Sequence, residues 1–430
     1  MRSSRILAAV TATTLATGMG MATASAETGD VTQPILQPGT DASQLLLSWY
    51  TEDLRIGQEE AIIAPTEEMN GEEFPEDALT IASDRSLAVG AYSNKVELND
   101  LQPETSYTYQ VGSDKFGWSK PQTFNTGTAG DEWNFLFYGD PQLGSSGDLA
   151  ADTQTWQQTV TTSTQAHPNS LFLLSAGDQV EAGVQHHHDA FKSAPELGQF
   201  PTATLMGNHD VLNPAMYYNN YAFPNLEDGN YFFERNNALI IALDSNFTNS
   251  FSVKKHIDYV NRVVEEHGGD KDWIITTFHH SPYSQAGHND DFNIERLRNE
   301  LTPALSDAGV DAVLSGHDHI YTRSHLMEGT TPVIPENDPE YEPQAGDVLY
   351  PEEGQTLYLV ANSSSASKFY GFSAYDEEAT EETGDEWTAV WNQDETPDYT
   401  NVEVSPTELT FSTYNVDSGD LVDEVTLSKN

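Results

Sequence analysis

From Trp133 onward, short apolar runs alternate with longer amphipathic stretches. Trp133–Tyr138, Leu171–Leu174, Thr202–Met206, Trp273–Phe278 and Val310–Leu314 are strand-length and rich in β-branched and aromatic residues, which predicts strands. Between them the spacing is helical. Trp156 and Val160 stand four apart within Asp152–Gln165, and Ile257, Val260, Val263 and Val264 form one stripe in Val253–Glu266. Leu297, Leu301 and Leu305 repeat the spacing in Ile294–Leu305. Alternating strands and helices predict an α/β core. Further strands are predicted at Thr356–Ala361, Asn401–Val404, Glu408–Tyr414 and Leu421–Leu427. The acidic stretches 329–356 and 376–398 read as surface loops.

Residues 31–126 have a different rhythm. Leu45–Tyr50 reads as a buried strand, and Val96 and Leu98 alternate with polar neighbours. A Pro103 turn precedes strict alternation through Tyr107, Tyr109 and Val111. This spacing predicts a small β-sandwich, with Tyr107 and Trp118 as core or corner residues. Gly127–Gly130 reads as a linker, so the expected division is residues 27–129 and 130–430.

The amino terminus changes the picture next. Arg2 and Arg5 precede a small-residue, mildly apolar stretch, and Ala24-Ser25-Ala26 fits a signal-peptide cleavage site after Ala26. Export to the periplasm or the extracellular space is therefore expected. Thr and Gly interrupt that stretch and no later run is long enough, so no membrane span is expected. The chain has no cysteine, so a metal site must use His, Asn and carboxylates. Its formal net charge of −50 disfavours nucleic acid as a stable partner and predicts a solvated acidic surface. The sequence carries no signal of oligomeric state.

Each predicted strand runs into chemistry. The five ends read Gly139-Asp140, Gly177-Asp178, Gly207-Asn208-His209-Asp210, His279-His280 and Gly316-His317-Asp318-His319. In open α/β sheets the functional crevice lies beyond the carboxyl ends of the strands. Oxygen and imidazole donors gathered there imply a metal centre. A bridging carboxylate can hold two metals, and such mixed donor sets suit Fe, Mn, Zn or Co.

In order and wording these blocks resemble those of the metallophosphoesterase superfamily, most closely purple acid phosphatases with an N-terminal fibronectin type III-like domain. The resemblance implies a four-layer αββα sandwich, a calcineurin-like catalytic domain, preceded by an all-β sandwich. It implies two metal ions, Fe, Mn or Zn, with Asp178 bridging. Asp140 and His319 would complete the first site; Asn208, His279 and His317 would complete the second. His209 would face the phosphoryl or leaving group rather than a metal, and His288, nine residues after His279, would contact substrate. Tyr283 stands where the family has a tyrosine four residues after its ligand histidine. His280 is the less suitable of the pair, as a possible ligand or a group beside the metals.

Two positions depart from the family. Glu181 replaces the tyrosine of the G-D-x-x-Y block, as a possible metal ligand or a group beside the metals. Gln142 follows Asp140 by two residues and is placed near the first metal, as a weak ligand or an orienting group. The resemblance implies hydrolysis of small phosphate monoesters by direct attack of a metal-activated hydroxide. Diester hydrolysis and a catalytically inactive exported binding protein are the alternatives. Tyr321 and Arg323 are expected to pack or orient the Gly316–His319 loop rather than react, and His186-His187-His188-Asp189 is expected to be a solvated first helical turn.

Overall fold

A computed structural model describes residues 31–52, 54, 56–88, 90–334 and 342–430. The export signature at 1–26 lies outside the described residues. The amino-terminal unit is a pair of antiparallel sheets. One orders Ile35–Pro38, Leu45–Thr51, Ala91–Leu98 and Asp84–Ala88; the other is built on Glu60–Pro65 and Ser106–Ser113. Leu47, Trp49, Ile63, Val96, Tyr109 and Phe124 fill the space between them. Tyr107 turns the corner, its hydroxyl accepting a hydrogen bond from Gln102 N at 3.0 Å. Trp118 is half-buried and donates to Asp114.

The sandwich is docked on the second unit through polar contacts. Tyr109 Oη donates to Gly198 O at 2.7 Å, Ser48 Oγ to Asn220 O at 2.8 Å, and Lys95 Nζ to the carbonyls of Tyr218 and Tyr221 at 2.6 Å.

Two mixed sheets form the centre of the larger unit. In the first, Thr202–Thr204, Leu173–Ser175 and Trp133–Tyr138 run parallel, and Asp398–Val404, Glu408–Asn415 and Leu421–Ser428 continue antiparallel. In the second, Ala238–Leu243, Trp273–Phe278, Ala312–Ser315 and Gln355–Val360 run parallel. The inner faces share one aromatic core: Phe135 stacks on Phe172 at 4.6 Å, and Phe172 meets Phe233 edge-on at 5.1 Å. Helices cover both outer faces. Leu149–Ala166, capped by Asp148, lays Trp156 on Tyr138. Ser250–His267, capped by Asn249, buries Val253, Val260 and Val263 with Ile241 and Leu243. The layers are therefore αββα.

Three expectations need correction. The Ile294–Leu305 stripe is not one α-helix but Phe292–Arg296, a π turn Leu297–Leu301 and Thr302–Asp307. Pro303 has no N–H to give Asn299 O, the Thr302 N–H reaches back to Leu297 O, and Thr302 Oγ1 donates to Arg298 O. The four-residue run at 186–189 is not uniformly solvated. His188 is fully buried against the Tyr221 hydroxyl at 3.1 Å, and burial drives its pKa down to about 3. The acidic stretches also contribute structure, since Asp347–Leu349 and Thr388–Asn392 add strands to the two sheets.

Candidate metal centre

The parallel strands of both sheets deliver their carboxyl ends to one place. Asp140 follows Trp133–Tyr138, Asp178 follows Leu173–Ser175, and Asn208-His209 follow Thr202–Thr204. His279 follows Trp273–Phe278, and His317–His319 follow Ala312–Ser315. The backbone there is strained. Asp178, His317 and His319 have φ of 46°, 74° and 46°, conformations that L-residues avoid unless their surroundings impose them. Glycine makes room at two points. A Cβ on Gly207 would lie 2.7 Å from Asp178 Cγ, and one on Gly316 would lie 2.5 Å from Asp140 Oδ2.

His279 Nε2 is the focus. Asn208 Oδ1 lies 3.0 Å from it, His317 Nδ1 3.3 Å and Asp178 Oδ2 3.4 Å. Its other nitrogen, Nδ1, lies 2.9 Å from Ala176 O and 3.4 Å from Asp140 Oδ1. Asp140, Asp178 and His279 each offer a donor atom within 4.8 Å of the others. A carbonyl only accepts, so Ala176 fixes the proton on Nδ1 of neutral His279 and leaves the Nε2 lone pair facing the cluster. His319 is pinned in the same way, with Nδ1 2.8 Å from Lys368 O.

The electrostatics fit a cation. Asp140 is fully buried and its Oδ1 accepts no hydrogen bond, while Oδ2 accepts from His317 N at 2.7 Å. Burial pushes Asp140 up to about 7, with the Asp178 charge adding to the rise and His279 opposing it. For Asp178 burial acts in the same sense, but His279 and the N–H of His209 outweigh it and hold the carboxyl low. Burial alone would lower His279, yet the two carboxylates hold it at about 10. Without a metal, that proton supplies the positive charge the buried carboxylates require. His317 and His319 are kept neutral by burial, as ligating imidazoles must be.

The remaining predicted residues form the surround. His209 places Nδ1 3.0 Å from Glu181 O and 3.3 Å from Glu181 Oε2. Gln142 Nε2 donates to the same Glu181 carboxylate at 2.8 Å. Glu181 thus faces His209 and Gln142, outside the Asp140–Asp178–His279 group. His280 is held by Ser245, with Nδ1 2.8 Å from the hydroxyl. His288 lies on the rim, its ring 4.5 Å from that of His317 and its Nδ1 2.8 Å from Asp291 Oδ2. Tyr283 is buried, its hydroxyl on Thr302 and Gly329 O.

Tyr321 and Arg323 meet neither metal donors nor the rim. Both bind the buried Asp423, at 2.8 and 2.7 Å, and so tie the strand after the Gly316–His319 loop to the first sheet.

Several residues to which the sequence assigned no role also belong to the site. Asp318 is fully buried and groups with His288 and His317 within 4.8 Å. Asp210 Oδ2 accepts from Gly207 N and Gln179 N at 3.0 and 3.3 Å and so ties two loops together. Tyr370 and Lys368 reach the rim from a loop far along the chain.

The two units of the chain have known relatives. Residues 134–321 match the calcineurin-like phosphoesterase family, and residues 31–126 match the purple acid phosphatase N-terminal domain. The chain is 26% identical over 221 residues to the serine/threonine-protein phosphatase CPPED1 of Bos taurus, covering 44% of this chain and 71% of that one. It is 23% identical over 340 residues to the uncharacterized protein Rv2577 of Mycobacterium tuberculosis, covering 68% of this chain and 62% of that one. The fold is similar to that of purple acid phosphatase PPD1 from yellow lupin seeds, with a TM-score of 0.71 at 14% identity, over 93% of this chain and 74% of that one. Residues 134–321 are thus a calcineurin-like metallophosphoesterase domain, set behind a purple acid phosphatase N-terminal domain at residues 31–126.

Proposed function

We propose that the protein is an exported phosphatase with a dinuclear metal centre acting on small phosphate monoesters. The observation that carries this reading is the approach of Asn208 Oδ1, His317 Nδ1 and Asp178 Oδ2 to within 3.0–3.4 Å of His279 Nε2. Asp178 would bridge; Asp140 and His319 would hold the first ion; Asn208, His279 and His317 would hold the second. Two cations there would neutralise phosphoryl charge and bring a water's pKa from 15.7 toward about 7. The metals are of the Fe, Mn or Zn kind, matching the mixed nitrogen and oxygen donors.

The chain's own residues complete the reaction. With Nδ1 directed at the Glu181 carbonyl, His209 presents Nε2 outward, where a proton can pass to the departing oxygen. His288 stands across the rim, oriented by Asp291, to hydrogen-bond a phosphoryl oxygen. Gln142 and Glu181 position His209 rather than touch substrate. Export rests on the signal-like sequence of residues 1–26.

The test joins metal analysis of purified protein with rates on an aryl phosphate monoester and the matching diester. About two metals per chain with the faster rate on the monoester supports the proposal. A faster diester rate replaces it with a phosphodiesterase, and metal without hydrolysis with an exported binding protein.

A further inference from the structure

The loop between strands Gln355–Val360 and Thr388–Asn392 is fastened to the metal centre along its length. Ser363 Oγ donates to Asp140 O at 3.1 Å and Ser367 Oγ to Pro141 O at 3.0 Å. The Lys368 carbonyl is the partner of His319 Nδ1. Gln393 Nε2 donates to Tyr370 O at 2.8 Å and to His319 O at 2.6 Å.

Held in this way, the Tyr370 ring lies between two imidazoles. Its centroid is 5.2 Å from that of His319 and 5.4 Å from that of His288, nearly edge-on to both. The hydroxyl is 3.5 Å from His288 Nε2. One side chain therefore links a residue of the metal centre to the rim.

Lys368 packs over this ring, with Nζ 4.7 Å from the centroid. The chain has 18 Lys and Arg against 68 Asp and Glu, so a cation beside the centre is uncommon. Among the described residues no carboxylate pairs with Lys368, whereas Lys254, Lys255, Arg262 and Arg323 all have acidic partners. A scissile phosphoryl group would be met by the metals and His209. A second anion attached to it would need a further donor at the rim, and in this acidic protein Lys368 and Tyr370 stand there, beside His319 and His288.

We propose that Lys368 and Tyr370 form a subsite for a second phosphate group on the substrate, so that compounds with two linked phosphates are bound in preference to simple monophosphates. The inference rests on the phosphatase reading above and adds the substrate class.

The test uses metal-loaded wild-type protein and the variants Lys368→Met, Lys368→Arg and Tyr370→Phe. Binding of inorganic phosphate and of pyrophosphate is measured by calorimetry, with metal content checked after each titration. Lys368→Met keeps the packing over Tyr370 and the backbone bond to His319 while removing the charge. It is expected to weaken pyrophosphate binding roughly 10-fold more than phosphate binding, the usual worth of a charged hydrogen bond. Lys368→Arg should restore the preference, and Tyr370→Phe should cost pyrophosphate a few-fold, the usual worth of a neutral hydrogen bond. Equal losses on both ligands, or no loss, would overturn the subsite. A wild type that binds pyrophosphate but hydrolyses no ester would defeat the phosphatase reading, and the binding comparison would still decide the subsite.

Discussion

His209 turns Nδ1 toward Glu181, 3.0 Å from its carbonyl and 3.3 Å from its carboxylate, in a loop whose other purpose is to present Asp178. Glu181 thereby fixes which nitrogen of His209 faces the crevice. Replacing His209 by Ala should leave most metal bound and lower kcat by roughly 10²–10⁴. The loss should shrink for aryl phosphates with good leaving groups, which need less protonation. A Brønsted series on both proteins measures this, and an equal loss throughout would make His209 a phosphate-positioning group.

Asp178 is the acidic residue shared by both proposed metal sites, and Asn cannot supply its charge. Asp178→Asn should lose metal and turnover together, by more than the roughly 10–100-fold typical of a group that only orients a ligand. Metal analysis beside steady-state rates checks it. Two retained metals with a near-native rate would remove Asp178 from the bridge.

Gly207 passes against Asp178, where a Cβ would lie 2.7 Å from the carboxyl carbon and also meet the backbone. Gly207→Ala should therefore displace Asp178 and lower both metal affinity and stability, the latter by about 1–3 kcal/mol. Denaturant melts with and without added metal separate the two effects. A variant with native metal affinity would show that the loop can shift without moving the carboxylate.

Glu181 stands where the resembling enzymes have the tyrosine of G-D-x-x-Y, and a glutamate cannot give the phenolate-to-ferric-iron absorption that a tyrosine there would. Tyr217 is engaged elsewhere, its hydroxyl 3.1 Å from Thr204 Oγ1. The iron-loaded protein should lack a visible purple band, and Mn or Zn should restore activity to apo-protein. A strong charge-transfer band in the visible spectrum would show that another tyrosine reaches the first metal.

Asp398 is buried behind the Asn362–Ser363 turn, and burial, with Asp394 beside it, raises its pKa to about 8. A carboxyl raised in the folded state binds its proton more tightly there than when unfolded. Its contribution is therefore fully present below about pH 4, the unfolded carboxyl pKa, and is lost as pH rises toward 8, at up to about 1.4 kcal/mol per pH unit. Asp398→Asn should flatten this slope and raise Tm relative to wild type at pH 8, with the gap closing toward pH 4. Parallel Tm–pH curves would show that Asp398 does not titrate in that interval.

The sequence by itself determined the alternation of strands and helices, because period-two and helical spacings are local properties of the chain. It also determined the ordered Asp, Asn and His blocks, since each candidate donor sits within a few residues of a strand end and a glycine. The hairpin Tyr231–Arg235 and Ala238–Leu243 was not legible, because its buried, mostly apolar strands lack a polar face to set a period. The π turn at Leu297–Leu301 escaped for a related reason: its leucine spacing is that of an α-helix, and the interruption comes from Pro303. Only the tertiary structure decided where Glu181 points, what holds each histidine tautomer, and which residues form the rim. Those facts depend on backbone carbonyls such as Ala176 O and Lys368 O, and on a loop that meets His319 from 49 residues away in sequence. A carbonyl is the same in every residue, so its place in a site is set by the packing of the two sheets and leaves no mark on side-chain order.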